Sequence, residues 1–228
     1  MLTVDDIREM LRSGKLMPDM NDVVASGIFL SSTGTKTEYT LHYGWDIAKC
    51  HACDESWHPF NLQLMQWIAD QKYDAERLQK VLETVQIDDD HWKWFIKAML
   101  LKTGEYHWFF LMAEDKPQAA CVIYHPKKSE LAERDVFYIE YIAVAPWNRQ
   151  NPMAERTFKG VGSLLIKSII EYSVRQLSFH HGFSLHALPR AVDFYAKIGM
   201  QKIPACDKDE LQYFEMPEEI ATKYVGAT

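Results

Sequence analysis

From Thr37 to Tyr43 apolar and polar residues alternate, with Tyr39, Leu41 and Tyr43 on one side, which is the period of a half-buried strand. The period then lengthens. Leu62, Met65, Trp67, Ile68 and Ala69 between Pro59 and Gln71, and Leu78, Val81, Leu82 and Val85 between Asp74 and Val85, recur at spacings of three and four and predict two helices. A third helix is expected from Asp90 to Lys102, stopping at Gly104. Beyond it the runs Tyr106 to Ala113 and Gln118 to His125 flank Glu114-Asp115-Lys116-Pro117, a strand, turn and strand that read as a hairpin. Val136 to Val144 is a strongly β-forming run that stops at Pro146. Gly160-Val161-Gly162-Ser163 opens a helix whose Val161, Leu164, Leu165, Ile166, Ile169, Ile170 and Val174 form a broad buried stripe. A short strand from Phe183 to Ala187 follows, then a helix with Pro189 in its first turn, Ala191, Phe194, Tyr195 and Ile198 on one face, and Gly199 as its left-handed cap. Leu211 to Met216 is expected to close the sheet.

The cluster Ser31-Ser32-Thr33-Gly34-Thr35 reads as a connector, so residues 1–36 are expected to form an N-terminal appendage. The longest apolar runs, Trp108 to Ala113 and Ala119 to Tyr124, fall far short of the roughly 18 residues a membrane span requires. Met1 to Lys15 mixes charges with single apolar residues, unlike a signal peptide, which gives a cytoplasmic expectation. Four cysteines among 228 residues are too few for a disulfide scaffold and are read as thiols.

Charge adds direction. The net charge of −7 argues against nonspecific nucleic-acid binding and favours a small cationic substrate. Residues 149–167 run against that background, because Arg149, Arg156, Lys159 and Lys167 face only Glu155. Two glycines at a helix start let backbone N–H groups approach a phosphate, and the helix dipole adds attraction, so an anion is expected at the Gly-x-Gly turn. The turn lacks the third glycine of a dinucleotide fingerprint and the Lys-Ser/Thr pair of a nucleotide-hydrolysing loop.

Other candidates have bland readings. Cys50-His51-Ala52-Cys53 with His58 has no second ligand pair at zinc spacing, so no metal is expected. His180-His181 reads as an exposed loop pair, and Asp88-Asp89-Asp90 as a solvated N-cap cluster or an acidic entrance for a cationic acceptor.

The order of elements carries more than any single motif. Val144-Ala145-Pro146, Gly160-Val161-Gly162-Ser163 and Ala191-Val192-Asp193-Phe194-Tyr195-Ala196-Lys197-Ile198-Gly199-Met200 together resemble the GNAT superfamily of acetyl-CoA-dependent N-acetyltransferases. The resemblance extends over residues 37–218, leaving 219–228 as a tail. It implies an α/β (α+β) fold with a mixed, mainly antiparallel, splayed sheet flanked by helices, and acetyl transfer from acetyl-CoA to a small-molecule or peptide primary amine by direct attack. It implies that the backbone of Ile142, Ala143 and Val144 pairs with the pantetheine arm, that Thr157, Phe158, Lys159, Gly160, Val161, Gly162 and Ser163 hold the pyrophosphate, and that Tyr195 is the general acid. Glu140 is the candidate base, with Glu105, Tyr138 and His186 as competitors. The chain departs from the family pattern in three places. Thr157 stands where Arg or Gln is usual, Gly160 follows Pro146 by 14 positions, and Leu188 stands where many members have Asn. Arg149, Arg156 or Lys159 is expected to replace the missing side-chain contact. No nucleic-acid or membrane partner is expected, and a homodimer is left open. The alternative from another class is a catalytically silent acyl-CoA sensor that keeps the cradle and engages a partner through residues 1–100.

Overall fold

The computed structural model describes residues 3–16, 21–32 and 34–226. Among the described residues, eight strands form one sheet in the order β1-β2-β3-β4-β5-β6-β8-β7. Strands β1 (Asp22–Leu30), β2 (Lys36–Tyr43), β3 (Tyr106–Ala113), β4 (Lys116–Lys128) and β5 (Asp135–Val144) are antiparallel neighbours. Strand β6 (Phe183–Ala187) joins β5 in parallel, and β8 (Gln212–Met216) and the two-residue β7 (Gln201–Lys202) complete the far edge. The last expected strand is therefore interior, covered by β7.

Strand alternation sorts the side chains into two cores. On one face Phe109, Leu111, Cys121, Ile123, Phe137 and Ile139 meet Val161, Leu165, Ile169 and Ile170 of helix α5 (Val161–Arg175). On the other, Trp108, Phe110, Ala120 and Val122 meet Cys50, Cys53 and Trp57 of α2 (Ile47–Asp70) and Trp94 and Ala98 of α4 (Trp94–Leu100). Helix α3 (Ala75–Thr84) lies between α2 and α4 in the chain, and α1 (Val4–Arg12) precedes β1. Helix α6 (Val192–Lys197) follows β6, and α7 (Glu218–Gly226) ends the described chain.

Several expected boundaries shift, each for a physical reason. Helix α2 starts at Ile47, capped by Asp46, and carries Pro59 inside it. Its buried face, Cys50, Cys53, Trp57, Asn61, Leu64 and Ile68, keeps helical spacing on both sides of the proline. Helix α4 starts at Trp94 rather than Asp90, because its first amides are received by Asp54 of α2, from Trp94 N–H at 2.8 Å and Phe95 N–H at 3.0 Å. The β3–β4 reversal is confined to Glu114 and Asp115, both at positive φ, while Lys116 and Pro117 belong to the strand.

The expected appendage is part of the same sheet. Strand β1 pairs with β2 along its length, and Phe29, 5% exposed, stacks on Phe158 at 4.7 Å. Of the expected connector 31–35, Thr33 lies outside the described residues; Gly34 N–H donates to the Ser31 carbonyl at 3.0 Å, closing a hairpin. Of the expected tail, residues 227 and 228 lie outside the described residues, and the preceding α7 packs on α5 through buried Ala221. No helix among the described residues is long and apolar enough to cross a membrane.

Candidate active site

The site begins where the sheet opens. Strands β5 and β6 pair only from Phe137 to Ile139 against Phe183 to Leu185, so Glu140 to Val144 continue without a neighbour on that side. Their other side stays paired with β4. Ala145 N–H donates to the Gln118 carbonyl at 2.8 Å, and antiparallel pairs alternate, so Ala143 also turns its peptide groups to β4. Ile142 and Val144 turn theirs into the gap. Ala143, expected to contact pantetheine through its backbone, is thereby committed to the sheet.

Glu140 is the extra residue of a bulge, because Val122 and Ile123 face Tyr141 and Ile139. A bulge turns the extra residue onto the same face as its successor. Glu140 and Tyr141 accordingly share the face toward α4, where Lys97 Nζ stands 3.2 Å from the Tyr141 ring centroid and 5.0 Å from that of Trp92. Burial raises the Glu140 carboxyl, against the opposing effect of Lys208 and Lys97. Burial lowers the Lys97 ammonium to about 8, against the opposing effect of Glu140 and Asp54.

Two cavities meet in the gap. One, about 220 Å³, lies between Ile142–Val144, Gly162 and Ile166 of α5, and Phe194 and Tyr195 of α6. The second, about 450 Å³, is lined by Trp92, Tyr138, Glu140, Tyr141, His186 and Lys208 among others. Ile142, Leu188, Ala191 and Tyr195 border both. Tyr195 is 6% exposed, and burial, then Cys121 and Tyr224, pushes its phenol upward, so it is held protonated.

The Gly-x-Gly turn divides into a structural half and an open half. Thr157 N–H donates to the Trp147 carbonyl at 3.0 Å, and Phe158 N–H to Asn148 Oδ1 at 2.9 Å, so neither amide is available to a phosphate. Phe158 itself is buried against Phe29. Gln118, 1% exposed, fixes this half by accepting from Trp147 Nε1 at 2.8 Å and Asn148 Nδ2 at 2.9 Å. Gly160 is the N-cap at φ 75° without a side-chain cap, and Val161, Gly162 and Ser163 form the first helical turn, whose amides have no acceptor within the helix. Lys159 is exposed beside them. A Cβ on Gly162 would stand 3.3 Å from Val144 Cγ2, so this glycine lets α5 approach β5.

The aspartate cluster corrects two expectations. Arg149 Nη1 and Nη2 donate to the two Asp89 carboxylate oxygens at 2.6 and 2.5 Å, Nη1 also to the Gln86 carbonyl, and Nε to the Val144 carbonyl at 2.7 Å. The guanidinium proposed by sequence for phosphate is therefore engaged within the protein, as is the Val144 carbonyl. Asp88 pairs with Arg190, and Asp90 accepts from Asn61 Nδ2 at 2.8 Å. Asp88 and Asp89 thus tie the α3–α4 loop along the smaller cavity, and Asp90 ties it to α2, rather than capping α4. Sequence offered no signal for these partners, nor for Gln118 and Asn148, because each lies ten or more residues from the group it satisfies.

No family model matches this sequence, and no curated protein matches it. Solved structures do. The chain superposes on apo FdhC, described as a nucleotide-linked sugar GNAT, with TM-score 0.50 and 13% identity, over 90% of this chain and 94% of that one. An uncharacterized protein from Bacillus halodurans matches with TM-score 0.52 and 10% identity over 90% of this chain and 96% of that one. Mycobacterium smegmatis RimJ, in complex with CoA-disulfide, gives TM-score 0.49 and 12% identity over 93% of this chain and 97% of that one. With the open β5–β6 pair and the glycine-led α5 in place, the chain has the fold of the GNAT superfamily of N-acetyltransferases.

Proposed function

We propose that this protein is an N-acyltransferase that moves an acetyl group from acetyl-CoA to a primary amine by direct attack on the thioester. The observation that carries the reading is the open flank of β5, with Ile142 and Val144 turning peptide groups into a cavity that reaches the first turn of α5. A pantetheine arm carries amide groups that can pair with the peptide groups of Ile142 and the N–H of Val144. The amides of Val161, Gly162 and Ser163, aided by the helix dipole and by Lys159, would receive the pyrophosphate. The larger cavity would take the acceptor, whose ammonium is drawn by Glu140. FdhC's description as a nucleotide-linked sugar GNAT supports a small-molecule acceptor.

Tyr195 borders both cavities, which is where a departing thiolate and an incoming amine would meet. Burial raises its phenol, but a thiolate formed in the same apolar gap loses hydration too and becomes more basic, so proton transfer between them remains feasible. In Tyr195→Phe, kcat should fall about 10²-fold while acetyl-CoA affinity is unchanged.

Titration calorimetry with acetyl-CoA, followed by thiol release with lysine peptides, polyamines and aminosugars, tests the reading. Absence of acetyl-CoA binding at millimolar ligand would overturn it. Binding without thiol release from any amine would make the chain a sensor instead.

A further inference from the structure

The acceptor cavity joins two of the residues that compete with Glu140 for the base role, Tyr138 and His186, in one hydrogen-bonded pair. Tyr138 of β5 and His186 of β6 flank the last paired rung, and Tyr138 Oη lies 2.7 Å from His186 Nδ1. His186 Nε2 lies 2.9 Å from the Cys206 carbonyl oxygen. A carbonyl can only accept, so Nε2 carries the hydrogen, Nδ1 offers its lone pair, and Tyr138 donates its hydroxyl hydrogen to it. The Tyr138 oxygen keeps acceptor capacity beside the cavity it lines with Glu140.

We propose that Tyr138 and His186 form the proton relay that converts the acceptor's ammonium into the attacking amine. The inference rests on the acyltransferase reading. One ammonium N–H bond breaks as its proton passes to Tyr138 Oη, and the Tyr138 hydroxyl proton passes to His186 Nδ1. Tyr138 ends as a neutral phenol, and His186 as an imidazolium hydrogen-bonded through Nδ1–H to Tyr138 and through Nε2–H to Cys206. The neutral amine attacks the thioester carbonyl carbon and the C–S bond breaks. The second amine proton balances the thiolate through Tyr195, and the imidazolium returns its proton to solvent.

Hydrogen bonding favours this route over Glu140, with Asp207 supporting and Lys208 and Lys127 opposing a protonated His186. Glu140 faces Lys97 and Lys208, so protonating it would leave the partly buried Lys97 with Asp54 as its remaining opposite charge. Protonated His186 keeps both hydrogen bonds. The groups facing His186 are Tyr138 on β5, Lys127 on β4, Tyr213 on β8 with its ring centroid at 5.1 Å, and Asp207 and Lys208 on the preceding loop. Burial, its largest influence, lowers the imidazole from its ordinary value and leaves it neutral at pH 7. The base role expected of Glu140 thereby moves to the pair. Tyr138 is the catalytic residue and His186 acts through it.

The test uses the full chain, the amine giving the fastest thiol release, and the variants Tyr138→Phe, His186→Gln and Glu140→Gln. Tyr138→Phe and His186→Gln should each lower kcat about 10²-fold, and His186→Gln should remove the acid limb of the kcat/KM profile. Glu140→Gln should raise the amine KM and keep that limb. Unchanged calorimetric affinity for acetyl-CoA shows that a variant is folded. Loss of the acid limb in Glu140→Gln, or kcat within threefold of the parent in Tyr138→Phe, would overturn the relay while the parent's activity leaves the acyltransferase reading standing. Nitrogen-15 NMR of the His186 ring supplies a readout independent of activity and of variant folding. The Nε2–H tautomer is expected, and the Nδ1–H tautomer would overturn the relay. A parent chain that releases no thiol with any amine overturns both readings.

Discussion

The two halves of β5 are built from similar residues and have opposite surroundings. Val136 to Ile139 pair with β4 on one side and β6 on the other, and Phe137 and Ile139 are buried in the α5-side core. Glu140 to Val144 pair with β4 alone, and the space where a second neighbour would stand is cavity. A buried peptide group without a partner costs about 1–3 kcal/mol, so the first half is satisfied within the sheet, while the peptide groups that Ile142 and Val144 turn into the gap, the Val144 carbonyl excepted, are left to solvent or a ligand. The bulge at Glu140 sits at the junction, where it turns a carboxylate toward the larger cavity. The site is thus the part of the strand that the sheet leaves incomplete.

The largest loss is expected at the far end of the open half. Asp89 and Arg149 are 10% and 11% exposed and pin the α3–α4 loop to the Val144 carbonyl. Replacing one partner leaves the other charge buried, so Asp89→Ala should lose about 3 kcal/mol of stability, read as a lower midpoint in urea unfolding. A change below about 1 kcal/mol would mean that solvent already reaches the pair.

Filling the gap is the next largest perturbation. Because a Cβ at position 162 meets Val144 Cγ2 at 3.3 Å, Gly162→Val should press α5 away from β5 and weaken acetyl-CoA binding about 10²-fold in calorimetry. Gly162→Ala needs only a small shift and should lose less than tenfold. Equal affinities for the two variants would show that the thioester lies elsewhere.

Acid sharpens the contrast between folded and unfolded chains and has the smallest effect. Burial lowers the imidazoles of His42, His51, His107, His125 and His186 below the unfolded value near 6.5. The unfolded chain therefore binds more protons on acidification, and the stability these groups contribute is present above pH ~6.5 and declines as pH falls through the lowered values. The raised carboxyls of Glu140 and Asp54 act in the opposite sense at lower pH. Calorimetry should show a melting temperature about 3 °C lower at pH 5.5 than at pH 7. A rise over that interval would contradict the buried, neutral histidines.

Local periodicity made much of the scaffold legible. The strand Phe183–Ala187 and the hairpin strand Tyr106–Ala113 coincide with β6 and β3, because alternation and bounding turns are properties of adjacent residues. The glycine-led start of α5 and the position of Tyr195 before Gly199 were readable for the same reason. The start of α2 was hidden because Cys50, Cys53, Trp57 and Asn61 make an unconventional buried stripe interrupted by Pro59. Residues 22–30 were hidden because an edge strand leaves Val23, Ile28 and Leu30 exposed and so blurs the alternation.

Side-chain period and backbone freedom were enough to mark β3, β6, α5 and the glycine turn that opens α5, whereas β1 and the start of α2 emerged only from the fold. The tertiary structure alone decided which of those amides remain open, why Thr157 and Phe158 do not, and that Asp88 and Asp89 belong to Arg190 and Arg149. It also decided that Tyr138 meets His186 across 48 residues. A hydrogen bond or ion pair joins whatever groups the chain path brings within about 3 Å, and that path is set by the whole core rather than by neighbours in sequence.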